Sequence, residues 1–238
     1  MRRLVLFTAL SSWLSTPVGL VQAADQSSSV TAEEAILRLK AGNTRFAEEK
    51  TTHAGGDAAR RSATARGQQP FVTILGCSDS RVPLEAVFDR GIGDIFAIRV
   101  AGNICGVDEM GSIEYGVGPL GTHLLVVLGH TDCGAVTAAV TGAEVHGNIR
   151  RVVEKIEPAV ATAQAAHRGL HGMDLVPAAI EANVWYSIEE LLTGSPMTRR
   201  LIESGKLKVI GAIYDVKTGK VQWLGEHPKQ KDLLELTR

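Results

Sequence analysis

Two short stretches of the chain gather residue types that can do metal chemistry: Cys77-Ser78-Asp79-Ser80-Arg81 and His130-Thr131-Asp132-Cys133. Two thiols and one imidazole form a three-point donor set for a soft-to-borderline divalent metal, and zinc fits that set best. Structural zinc usually has four protein ligands, whereas three leave a position for water, the arrangement of a catalytic site. Asp79 and Arg81, just past the first cysteine, read as a charge-assisted pair that keeps the carboxylate ionised and aimed at water in the open position. The same carboxylate could instead swing onto the metal as a fourth ligand, or the two could form a plain loop ion pair. The reaction class implied is hydration or hydrolysis. The spacing His130-x-x-Cys133 suits a turn entering a helix, whose N-terminal N–H groups and dipole favour an anionic Cys133. Gly134 lets the backbone approach a metal or small ligand closely. Asp132, between two ligands, reads equally as a group just behind the metal or as part of a solvated turn.

Those residues need elements to place them. The continuous apolar run Phe71 to Gly76 predicts a buried strand that ends directly at Cys77. Leu124 to Leu128 predicts a strand ending at Gly129-His130, and Cys133 to Val140 a helix after it. Further strands are expected at Ile95–Val100 and Leu207–Tyr214, the latter turned by Lys217-Thr218-Gly219-Lys220 into a short return strand at Val221–Trp223. Helices are expected from Thr31 to about Glu49, with Thr31 and Glu34 as a capping box and Ile36, Leu37, Leu39 and Phe46 as its apolar face. Others are expected at Met110–Val117, Arg150–His167 and Ala178–Leu192, with a long surface loop at Thr51–Arg66. Strands alternating with helices predict an α/β fold, a mainly parallel sheet covered on both faces. Both ligand segments then fall at the carboxyl ends of strands, where such sheets form sites.

The chain has 238 residues, 45% hydrophobic and 21% charged, which bounds it to one globular domain of generous size. A net charge of -1 and no basic stripe argue against nucleic acid as a partner. Arg2-Arg3, the apolar run Leu4–Leu14 and the small-residue site Val21-Gln22-Ala23 read as a secretory signal peptide over 1–23, with 24–238 as the single domain. The apolar run is too short to span a bilayer, so a periplasmic or secreted protein with no membrane span is expected. The arginine pair leaves the export route open. Cys77, Cys105 and Cys133 are an odd set, which does not suggest a disulfide framework, and Cys105 reads as a small buried hydrophobe. His53, His146, His167, His171 and His227 read as surface residues and His123 as structural.

Cys77-Ser78-Asp79-Ser80-Arg81-Val82-Pro83, taken with Gly129-His130-Thr131-Asp132-Cys133-Gly134, resembles the β-class carbonic anhydrases. The resemblance extends from about Ala32 to the C-terminal strands. It implies a Rossmann-like sheet of four parallel strands plus an antiparallel edge strand, helices on both faces and an N-terminal helical arm. It also implies a homodimer or tetramer, one zinc per subunit, and reversible hydration of carbon dioxide to bicarbonate by zinc-bound hydroxide. By position, Cys77, His130 and Cys133 match the zinc ligands, and Asp79 and Arg81 the catalytic pair. Gln68 matches a substrate-pocket glutamine, Phe96, Ala101 and Tyr115 that pocket's apolar and aromatic positions, and Gly134 a backbone donor to substrate. Arg99 and Asn103 echo the family's Arg-Asn-x-x-Asn stretch, with Val100 in place of its first Asn. Ile74 stands where some bacterial members carry a Trp beside a regulatory bicarbonate. With Gln68 present, this implies the constitutively open type, Asp79 coordination at low pH staying possible. Three rival readings remain: a carbon disulfide or carbonyl sulfide hydrolase on the same site, a non-catalytic zinc- or bicarbonate-binding protein, and a cysteine-nucleophile hydrolase that leaves the second cysteine unexplained.

Overall fold

A computed structural model describes residues 29–235; the proposed signal segment lies outside them. The scaffold is a five-stranded sheet of β1 (Val72–Gly76), β2 (Ile95–Arg99), β3 (Leu124–His130), β4 (Lys208–Tyr214) and β5 (Val221–Gly225). The order is β2-β1-β3-β4-β5, the first four parallel and β5 antiparallel at the edge. Around it run α1 (Ala32–Ala47), α2 (Ala58–Thr64), α3 (Leu84–Val87), α4 (Val107–Val117), α5 (Gly134–Thr141), α6 (Ile149–Glu154), α7 (Glu157–Ala166), α8 (Val176–Gly194), α9 (Pro196–Glu203) and α10 (Gln230–Glu235). Among the described residues no helix is long and apolar enough to cross a membrane.

The strands are apolar at consecutive positions because the sheet is covered on both sides. Ile74, Leu124, Val126 and Leu128 pack with Leu39 of α1 and with Val87 and Phe88 at the end of α3. Leu75, Leu125 and Val127 point the other way, onto Ile113 of α4 and Val184, Ile188 and Leu191 of α8. From β1 the chain passes to β2 on one side, while β3 pairs with β1 on the other. The strand order therefore reverses between β1 and β3, and a crevice opens at their carboxyl ends.

The N-terminal helix is fixed to this frame by backbone contact. A Cβ on Gly42 would collide with the Phe88 carbonyl oxygen, so α1 lies directly on the end of α3. Buried Asn43 beside it donates to the carbonyls of Val87 (3.2 Å) and Gly219 (2.8 Å) and accepts from the Val221 N–H (2.9 Å). One amide thus ties α1 to α3 and to the β4–β5 turn.

Several local expectations need correction. The Thr51–Arg66 loop contains α2, started by the Asp57 carboxylate accepting from the Arg60 N–H at 2.8 Å. The single helix expected over Arg150–His167 is two, α6 and α7, because Pro158 cannot continue an α-helix ladder and instead sits in the first turn of α7. Leu37 is exposed, so the apolar face of α1 is narrower than its pattern suggested. His227 is buried rather than on the surface: its ring packs edge-on against Trp185, with centroids 5.3 Å apart. Only the first half of the Thr31–Glu34 capping box is present, the Glu34 N–H reaching Thr31 Oγ1 at 3.2 Å while the Glu34 carboxylate pairs with Arg38. Helix α9, opened by Ser195 as N-cap and Pro196 in the first turn, was not anticipated.

Candidate metal centre

Cys77 is the first residue past β1, His130 the last of β3, and Cys133 caps the N-terminus of α5. The crevice between neighbouring parallel strands therefore brings together segments far apart in the sequence. The two sulfurs and an imidazole nitrogen lie within 4.8 Å of one another, and all three residues are buried. All three cysteines of the chain are free thiols, so no disulfide joins the pair.

The imidazole is oriented by its other nitrogen. His130 Nδ1 lies 2.8 Å from the Thr131 carbonyl, which can only accept, so Nδ1 carries the hydrogen. Nε2 is left with its lone pair, fully buried beside the Cys77 sulfur and, among the described residues, with no hydrogen bond of good geometry. A buried acceptor orphaned beside two sulfurs fits a soft-to-borderline divalent cation, which would satisfy all three at once. Zinc is the natural occupant of this donor set.

Each sulfur also sits among N–H groups that favour the thiolate a metal requires. Cys77 Sγ accepts from the N–H of Gly102 at 3.3 Å and from that of Asp79 at 3.4 Å. Cys133 stands at the N-terminus of α5, where the backbone N–H groups of Ala135 and Val136 pull its pKa down. Without metal the two sulfurs share a proton. The Cys77 thiol falls well below the ordinary range, first because Cys133 hydrogen-bonds to it and further through His130 and the two backbone donors. Cys133 rises correspondingly, because it holds the shared proton and is buried. Burial opposes charge on His130, yet the neighbouring Cys77 and Asp79 raise its pKa in the metal-free protein. A bound cation would reverse that balance.

Asp79 and Arg81 form the expected pair. Arg81 Nε donates to Asp79 Oδ1 at 3.0 Å, Nη2 to Oδ2 at 2.7 Å, and the Arg81 main-chain N–H to Oδ1 at 2.9 Å. These bonds, the guanidinium foremost, hold the Asp79 carboxyl far below the usual carboxylate range despite the opposing effect of burial. Asp79 Oδ2 is 3.9 Å from His130 Nε2, so the carboxylate borders the donor set but stands outside it. In this structure it is turned to Arg81. Arg81 Nη2 also reaches the Asp132 carbonyl at 3.0 Å, a carbonyl presented by the left-handed backbone of Asp132 (φ 55°). Asp132 thus acts through its main chain, linking the two ligand segments.

Arg99, at the end of β2, adds a clamp. Its Nε donates to the Cys77 carbonyl at 3.0 Å and its Nη2 to that of Asp79 at 2.6 Å. The motif echo marked this residue without assigning it that work. Gly134 is exposed beside Cys133, with open space where a Cβ would stand. Ala101 is also exposed, in the turn that follows β2.

Other expected pocket residues are not gathered here within one chain. Phe96 pairs in register with Thr73, four positions before Cys77, and stacks at 5.8 Å on Tyr115, which is 49% exposed. Gln68 is exposed and precedes β1, at the opposite end of that strand from the crevice. Ile74 is fully buried in the core. Cys105 is buried, as expected, and burial pushes its thiol up to about 12. His53, His146, His167 and His171 are exposed, and His123 Nδ1 meets the Val30 carbonyl at 3.1 Å.

Comparison with known proteins agrees with this geometry. Residues 72–221 match the family model described as carbonic anhydrase. The chain is 36% identical over 186 residues to carbonic anhydrase 2 of Mycobacterium tuberculosis, covering 76% of this chain and 87% of that one. It is 34% identical over 188 residues to the carbonic anhydrase of Mycolicibacterium smegmatis, covering 77% and 89%. Among solved structures, one from work on two tetrameric β-carbonic anhydrases of the ascomycete Sordaria macrospora superposes with a TM-score of 0.65 at 25% identity, over 78% of this chain and 94% of that one.

Proposed function

The chain belongs to the β class of the carbonic anhydrase family, and from that premise we propose how its own residues carry out the reversible hydration of carbon dioxide to bicarbonate and a proton. Cys77, His130 and Cys133 would hold one zinc ion. Zinc so held supplies a Lewis acid that brings the acidity of water close to neutral pH. The observation carrying this reading is the buried cluster of two sulfurs and the His130 imidazole, whose Nε2 has no good hydrogen bond among the described residues, with an ionised carboxylate on its border.

The remaining work falls to the chain. Asp79, kept ionised, can only accept hydrogen bonds, so a water entering the crevice must point a proton at it and a lone pair elsewhere. Arg81 fixes that carboxylate with a planar fork, which a lysine could not reproduce. The exposed backbone of Gly134 is placed to meet a small linear substrate. Gln68, Phe96 and Tyr115 complete a pocket only if a second copy brings them. Among the described residues the edge strand β2 leaves a row of main-chain groups without a strand neighbour, and Tyr115 and Val107 of nearby α4 are exposed. A homodimer or tetramer is therefore part of the proposal, with β2 and α4 on the covered face. The proposal includes the open site type, which Gln68, Ile74 in place of a tryptophan, and Asp79 facing Arg81 support.

Residues 1–23 carry the composition of a signal peptide, and we propose a periplasmic or secreted enzyme on that basis. Carbonic anhydrase activity outside the cytoplasm would interconvert carbon dioxide and bicarbonate at that surface. Stopped-flow hydration of carbon dioxide by zinc-quantified mature protein tests the function. Turnover proportional to bound zinc is expected, and full turnover from metal-free protein would overturn the proposal.

A further inference from the structure

The apolar face of α8 carries two buried polar side chains one turn apart, Asn183 and Ser187, among Val184, Ile188 and Leu191. Polar groups are costly there unless they are hydrogen-bonded. Both reach the same short turn after β2. Asn183 Nδ2 donates to the Gly102 carbonyl at 2.7 Å, and Ser187 Oγ to the Asn103 carbonyl at 2.9 Å. That turn has two successive residues in the left-handed region, Gly102 at φ 70° and Asn103 at φ 42°. A non-glycine residue persists in that conformation when its surroundings hold it there. The conformation aims the Gly102 N–H at Cys77 Sγ, 3.3 Å away. A Cβ on Gly102 would come within 2.7 Å of Ile156 Cδ1, so the turn is also pressed from the far side.

We propose that Asn183 and Ser187 are positioning residues for the metal centre: by holding the carbonyls of Gly102 and Asn103 they keep the Gly102 N–H on the Cys77 sulfur and so set how strongly that thiolate donates to the metal. The inference rests on Cys77, His130 and Cys133 binding a divalent ion. An N–H bond to a thiolate draws charge away from the metal and leaves it a stronger Lewis acid. Asn183 and Ser187 never touch substrate. They act through main-chain carbonyls on the far side of the turn from the crevice.

The test compares wild type with Ser187→Ala, Ser187→Thr and Asn183→Ala in the mature protein, each loaded with zinc or with cobalt. Zinc affinity is read by chelator competition, and the sulfur-to-cobalt charge-transfer band by absorption. Ser187→Ala and Asn183→Ala are expected to weaken zinc about tenfold or more, because the turn no longer holds Cys77 in place, and to move the band to lower energy, because the sulfur without its donor gives up charge more readily. Ser187→Thr keeps the hydroxyl and should restore both readings to wild-type values. Unchanged affinity and band in Ser187→Ala, or equal shifts in Ser187→Ala and Ser187→Thr, would overturn the proposal and leave α8 a packing role. Should Asn183→Ala fail to fold, the two Ser187 variants decide by themselves. A wild-type protein that takes up no metal would instead strike the proposed function.

Discussion

Replacing Arg81 by alanine removes two of the three hydrogen bonds that reach the Asp79 carboxylate among the described residues, those from Nε and Nη2, and leaves the one from the main-chain N–H of residue 81. It also removes the Nη2 contact to the Asp132 carbonyl, so the two ligand loops lose a direct link. Arg81 is 51% exposed and the bridge is open to solvent, so global stability should change little. Catalysis should change a great deal. Misplacing a reacting group by about 1 Å costs on the order of a hundredfold, and one remaining tether cannot hold a carboxylate to that tolerance. We expect Arg81→Ala to keep about one zinc per chain, to melt near the wild-type temperature, and to lose about a hundredfold in kcat/KM for carbon dioxide hydration by stopped flow. Because Arg81 acts through Asp79, the double variant Asp79→Ala/Arg81→Ala should be no slower than Asp79→Ala, a strong departure from additivity. Arg81→Ala within twofold of wild type would refute the reasoning. So would losses that multiply in the double variant, since they would mean that the two side chains work separately.

Other consequences follow from the same structure. Cys77→Ser and His130→Ala each remove a donor from a three-donor set, so metal analysis and hydration assays should show zinc and activity lost together. Asp89→Asn should cost about 2 kcal/mol in chemical denaturation while leaving bound zinc unchanged, because it takes the charge from a buried carboxylate that accepts several hydrogen bonds. That carboxylate is 1% exposed and accepts from Arg45 at 2.5 Å, from the N–H groups of Thr52 and His53, and from the Thr52 hydroxyl. Burial would raise its pKa, yet these donors lower it to about 2. Its contribution is therefore complete above about pH 4 and is lost as pH falls toward 2. At His227 the sign is opposite. Burial lowers its pKa from 6.5 against the pull of Glu189 at 3.2 Å, and the Lys229 N–H donates to Nδ1, which fixes a neutral ring. The folded state then resists a proton that the unfolded chain takes up, so this site's stabilisation is full above about pH 6.5 and fades below it. Denaturation midpoints from pH 7.5 to 5.5 should fall more steeply for wild type than for His227→Gln, and parallel curves would contradict the assignment.

The metal centre was legible in sequence because its information is local. A continuous apolar run ending at Cys77 and another ending at His130 state both the burial of the strands and the place where they stop. Parallel pairing then forces the two ends together. Asp79 and Arg81 were legible for the same reason, since two residues of spacing in a tight turn leave the fork little choice. What depends on distant chain was less visible. His227 has no neighbour in sequence that foretells burial, and its place comes from Trp185 and Glu189 on α8. The break between α6 and α7 turns on Pro158, whose pattern of alanines otherwise reads as unbroken helix. Gln68, Phe96 and Tyr115 could be matched by position, but nothing within one chain brings them to the crevice. Asn183 and Ser187 did leave a trace, two polar residues one turn apart on the buried side of an apolar helix. Only the structure shows that their partners are carbonyls next to a metal-binding sulfur.

The central claim is that one divalent ion is held by Cys77, His130 and Cys133 with a side left open to solvent. Zinc K-edge X-ray absorption on the purified mature protein tests it most directly. The account predicts a four-coordinate shell of two sulfurs, one imidazole nitrogen and one further light atom contributed by solvent, lost as a set in Cys133→Ser. A shell without sulfur, or with the fourth place filled by the Asp79 carboxylate at neutral pH, would contradict it.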